Sequence, residues 1–265
     1  MTSTILAAAA FGADPGRWPL PTARDPEDLL LRAVAAGGQG RYGSAYADLA
    51  ELLRREPRGR WGSLAMSTRA SFHRQLGWHA LARGWDGRAL AIADADPEAR
   101  LDALVGLAAD ALGLGRLAAA AALLERATAC SDDVGALPAR QQIRLAWVRA
   151  ELAMAAGDGA GALNHARHGV DLAERALPGL RRHRVKSDVV LAAALCSAGE
   201  PARSREVADV ALLGTQTHRL VPLRWALACL LAGIGSATHS PAEVAAIRDR
   251  SATFVTRHGG RWNSR

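Results

Sequence analysis

β-branched runs long enough to build strands are missing from this 265-residue sequence. Their absence excludes a sheet-based fold. Aromatic residues make up only 5% of it. Cysteine is scarce too. Cys130, Cys196 and Cys229 stand far apart with no Cys-x-x-Cys spacing, so neither a zinc site nor a redox pair is read. Cys196 and Cys229 fall inside apolar helical stretches and read as small buried hydrophobes, in keeping with a reducing cytoplasm. Long hydrophobic runs are also missing. The longest, Trp225–Gly235, is too short to span a bilayer. The apolar N-terminal stretch MTSTILAAAAFGADPG has no Lys or Arg before it, which makes it a poor export signal. Lysine is reduced to Lys186, so the formal charge of +7 rests on arginine. That balance reflects either arginine-rich codon usage or the footprint of an acidic or nucleic-acid partner.

Catalytic signatures are lacking as well. There is no Gly-x-Ser-x-Gly, no His-Glu-x-x-His and no glycine loop joining a strand to a helix. No nucleophile stands with a matched base. The expectation is a non-enzymatic chain, with no catalytic residue, cofactor or metal site assigned.

What is present is alanine and leucine at helical spacing, in a chain that is 49% hydrophobic. A phrase recurs about five times: a glycine, a small residue near the fifth position after it, then leucines and alanines three and four apart. It begins at Gly40, Gly84, Gly115, Gly157 and Gly199. Ala45, Ala89, Ala120, Ala162 and Ser204 supply the small residue. Each glycine permits a backbone reversal, and each small residue lets two helices approach closely. A single hairpin cannot bury both of its faces, so such units stack.

The expected fold is all-α: five to six antiparallel helix pairs in one elongated right-handed solenoid. Residues 1–25, with Pro19 and Pro21, read as a partly disordered arm whose Trp18 packs back on the first repeat. Residues 26–218 read as the repeats, 219–258 as a closing helix pair, and 259–265 as a tail. Asp25 and Asp96 precede Pro26 and Pro97 at helix starts. Ser240 and Glu243 read as a capping box, and Gly259 as a stop.

These repeats resemble the tetratricopeptide family, in its divergent bacterial form. Gly40, Tyr42, Ala45, Leu49, Leu52 and Pro57 match the second half of that motif, and Leu76-Gly77 matches part of the first. Three of the four turn spacings are longer than the family's period and one is shorter, and most aromatic landmarks are replaced by alanine.

The resemblance implies that the first helix of each pair lines a concave face where a protein or peptide lies. The inward stripe would then hold Glu27, Leu30 and Val34; Arg74, Trp78 and Leu81; Val105, Ala109 and Leu112; Arg144, Trp147, Glu151 and Met154; and Lys186, Val189 and Ala193. Arg74, Trp78, Arg144, Trp147, Glu151 and Lys186 stand out as partner anchors. The tryptophans read equally well as core between repeats. The family's clamp for chaperone tails needs asparagines on this stripe. The only asparagines are Asn164 and Asn263, so that partner is not expected.

The run Arg181, Arg182, Arg184 and Lys186 is the densest basic cluster. It reads as a solvated edge, or alternatively as a patch for nucleic acid or an acidic partner. No aromatics interleave it as a stacking platform. His165, His168 and Asp171 share one helical face, which reads as a polar stripe rather than a metal site. The functional expectation is an adaptor or regulatory interaction module in the cytoplasm, with self-association open.

Overall fold

The computed structural model describes residues 2–132 and 137–263; Met1 and the last two residues of the tail lie outside the described residues. Thirteen helices and no strands are found among them: α1 Thr2–Phe11, α2 Pro26–Gly38, α3 Tyr42–Arg55, α4 Gly59–Gln75, α5 His79–Ile92, α6 Pro97–Gly113, α7 Leu117–Asp132, α8 Ala139–Ala155, α9 Gly159–Arg175, α10 Arg181–Ser197, α11 Pro201–Thr217, α12 Val221–Ile234 and α13 Pro241–Arg257. From α2 onward, consecutive helices pack as antiparallel pairs and the pairs stack on one another, as in a helical solenoid.

One device ends the first helix of each of the first five pairs. Gly40, Gly77, Gly115, Gly157 and Gly199 all take φ between 72° and 87°, a region that side chains disfavour. The amide of the next residue then closes onto a carbonyl five positions back. Arg41 donates to Ala36 at 2.9 Å, Trp78 to His73 at 2.9 Å, Arg116 to Ala111 at 2.8 Å, Asp158 to Ala153 at 2.9 Å, and Glu200 to Leu195 at 2.9 Å. This left-handed C-terminal cap satisfies carbonyls the helix leaves open. Five residues after each glycine lies a fully buried small residue: Ala45, Ala82, Ala120, Ala162 and Ser204.

The second pair corrects the sequence reading. Its turn falls at Gly77, not at Gly84–Gly87, and Ala82 rather than Ala89 is the small residue five after it. Gly84 and Gly87 lie within α5, where an added Cβ would meet nothing within 4 Å. The Leu76-Gly77 pair held the true reversal, and the Gly-Trp-Asp-Gly run imitated one.

The N-terminal arm is also more ordered than expected. α1 buries Leu6, Ala9 and Ala10 in the same core as α2 and α3. The extended stretch behind it is held by Gln39, whose Nε2 donates to the carbonyls of Pro15 at 3.0 Å and Arg17 at 2.9 Å. Trp18 packs on the first pair as expected, with the Arg41 guanidinium 4.0 Å from its ring.

The stack bends until its two ends meet. The Gly43 amide donates to His258 O at 2.7 Å, and the Asn263 amide donates to Leu76 O at 2.9 Å. At the other end of the inner layer, the Leu180 amide donates to Phe11 O at 2.7 Å. The accessible surface is 11824 Å², within about a tenth of the value expected for a compact protein of this mass. The elongated groove is thereby closed into a ring. Among the described residues no helix is long and apolar enough to cross a membrane.

Candidate functional site

Closing the ring leaves a central cavity of about 690 Å³. The first helix of every pair contributes to its wall: α2, α4, α6, α8, α10 and α12, with Phe11 of α1 and His79 of α5. The stripes follow helical periodicity. α6 presents Glu98, Asp102, Val105, Ala109 and Leu112, while α8 presents Arg140, Arg144, Trp147 and Glu151. Residues three and four apart share a face, so a straight inner helix offers one such row to the centre.

The expected anchors Arg74, Arg144, Trp147, Glu151 and Lys186 all line this cavity, together with Glu27, Leu30, Val34, Val105, Ala109 and Leu112. Trp78 and Leu81 do not. With the turn at Gly77, Leu81 belongs to α5 and Trp78 caps its N-terminus, so neither lies on an inner helix. Trp78 instead donates through Nε1 to Arg261 O at 2.7 Å, under the C-terminal tail. Met154, Val189 and Ala193 also lie off the wall; Val189 packs with α11 and α12.

The wall is apolar over Leu30, Leu31, Val34, Leu64, Phe72, Val105, Leu112 and Trp147, and charged elsewhere. Six cations line it: Arg60, Arg74, Arg140, Arg144, Arg182 and Lys186. Four of them are paired. Arg60 reaches Asp96 at 2.8 Å and also Glu98. Arg140 reaches Glu98 at 2.9 Å and Asp102 at 2.7 Å, and Arg144 pairs with Asp102 too. Arg74 donates to Asp86 at 3.0 Å, to Gly106 O at 3.0 Å, and to Asp110.

Arg182 and Lys186 form no ion pair among the described residues. Arg182 donates through Nη1 to Val34 O at 3.1 Å. Lys186 sits with Nζ 4.5 Å from the centre of the Trp147 ring, an attraction that compensates a cation only in part. Burial, and then the charges of Arg140 and Arg144, pull Arg182 down to about 10. Burial lowers Lys186 as well, against the pull of Glu151. His183, stacked on Trp147 at 5.4 Å, is held well below the ordinary histidine range by burial and by Arg182. It is a neutral ring.

The basic run therefore does not form one surface patch. It lies inside the first two turns of α10, and the helix divides it. Arg182 and Lys186 turn to the cavity, whereas Arg184 pairs with Glu174 at 2.9 Å and with Asp188. Arg181 is partly exposed at the junction with α1, where its amide donates to Gly12 O at 3.3 Å. His165, His168 and Asp171 lie on α9, an outer helix; among the described residues no three His, Cys, Asp or Glu side chains gather as a metal site.

Sequence reasoning missed Phe11, Arg60, Glu98, Asp102 and Arg140 as wall residues. The last three continue stripes already identified, Asp102 and Arg140 one turn and Glu98 two turns nearer each helix start. Phe11 was hidden because α1 was read as an arm. None of the known family models matches the chain, and no curated protein matches it in sequence.

Proposed function

We propose that this chain is a non-enzymatic binding module of the cytoplasm, an adaptor or regulator that holds a short acidic segment of a partner polypeptide in its central cavity. One observation carries this reading: the inner helices of all six pairs converge on a single cavity whose wall joins an apolar surface to cations in excess of its carboxylates. A volume of about 690 Å³ is that of a pocket enclosing a compact ligand, which favours a short segment over a long extended one. Trp147 and Lys186 supply an aromatic anchor and a charge side by side, the combination enriched where binding energy concentrates. The splitting of the basic run across α10 leaves the alternative, nucleic acid on an arginine-rich surface, with less support than the cavity.

The test is capture from native extract by immobilised protein, comparing wild type with Lys186→Glu at low and high salt. Retention of a discrete polypeptide by wild type and its loss from Lys186→Glu is the expected result. Identical captured sets would remove the cavity as the working site.

A further inference from the structure

The geometry points to Arg182 as the anion-binding end of this cavity: a buried subsite for one carboxylate carried on an apolar body. The inference rests on the cavity being a ligand site and adds which ligand atoms are recognised and where.

Three observations converge. Arg182 is placed with care. A Cβ on Gly38 would lie 2.6 Å from its Nη1 and 3.1 Å from its Cδ, so the glycine of α2 makes the room the side chain occupies. Val34 O accepts from Nη1, which fixes the guanidinium plane and leaves its other donors to the cavity. Compensation is also missing here. Arg140 and Arg144 share Asp102 between them, and no carboxylate forms an ion pair with Arg182 among the described residues. A buried guanidinium without a counter-charge is costly, and a ligand carboxylate would remove that cost through a forked pair of hydrogen bonds. Finally, apolar wall adjoins the charge. Val34 and Leu30 lie on the helix that seats Arg182, with Leu112 and Val105 on α6. A guanidinium without an ion pair beside such a wall matches a carboxylate with an apolar body.

Two sources share this chemistry: an acidic or terminal carboxylate on a polypeptide segment, and a free small-molecule acid. The test uses dansyl-6-aminohexanoate and its methyl ester, which differ only in the charge. Binding is read from dansyl fluorescence on the full chain. Wild type is expected to bind the acid about tenfold or more tightly than the ester. Arg182→Gln should erase that preference, Arg182→Lys should keep part of it, and Arg184→Gln, outside the cavity, should keep all of it. Equal binding of acid and ester by wild type, or an undiminished preference in Arg182→Gln, would overturn the subsite while leaving the cavity a ligand site. Binding of neither probe would remove both. Displacement of the acid by N-acetyl-Leu-Glu-Leu-amide supports a polypeptide source. Displacement by octanoate alone keeps the carboxylate subsite and sets aside the polypeptide partner. Displacement by neither overturns the assignment to carboxylates.

Discussion

Arg74 and Arg182 face the same cavity from different helices, α4 and α10, and their surroundings differ in one respect. Arg74 stands on α4 against two fully buried carboxylates, Asp86 and Asp110, and its charge is reinforced although burial works against it. Arg182 stands on α10 against a carbonyl and other cations, and its charge is weakened. The first arrangement completes itself within the chain. The second is complete only with something added. Similar sequence, an arginine on an inner stripe, thus yields a structural tie in one place and a receptive one in another, and the partner residues decide which.

The largest effect should come from breaking the completed side. Arg74→Met leaves Asp86 and Asp110 buried without their cation, and urea denaturation should show a loss of about 3–5 kcal/mol. Arg182→Met should do the reverse in the absence of ligand, leaving stability unchanged or raising it by about 1–2 kcal/mol. Equal losses in the two variants would erase the distinction.

Gly106→Ala tests the packing beneath Arg74, because its Cβ would lie 2.2 Å from Asp86 Oδ2. A loss of about 1–3 kcal/mol is expected.

Acidity separates the two sides as well. Burial, with Asp110 nearby, carries Asp86 up to about 7, against the pull of Arg74. Its folded state therefore holds a proton more tightly than the unfolded chain does. Its contribution is present below the unfolded carboxylate value and is lost as pH rises toward 7. His183 is displaced downward, so its contribution is present above the unfolded histidine value near 6.5 and is lost as pH falls. Asp86→Asn should remove the first slope and His183→Gln the second, in melting temperatures taken across pH 4–8.

The smallest effect serves as a control. Gly84→Ala on α5, where open space awaits the Cβ, should stabilise by about 0.5–1 kcal/mol. A loss there would return a turn to Gly84.

Much of this arrangement was legible because alanine and leucine spacing sets helix pairing directly, and because stripes three and four apart predict which residues share a face. The errors have one physical source. Gly77 and Gly84 are alike in sequence, but only the backbone reveals which adopts positive φ. Choosing Gly84 moved Trp78 and Leu81 onto the wrong helix. Ring closure was not legible at all, since curvature accumulates from small rotations between pairs and no single residue announces it. For the same reason the basic run looked like an edge. Its division into Arg182 and Lys186 on one side and Arg184 on the other depends on where α10 begins.

Meeting ends have a further consequence. In an open array each repeat leans only on its neighbours, so terminal units fray and melting spreads inward. Here the tail bonds Asn263 to Leu76 and Gly77, and the Gly43 amide donates to the His258 carbonyl at the end of α13. The outermost units are thereby interior ones, and loosening any one of them loosens the whole circle. Such a chain is expected to melt as one body.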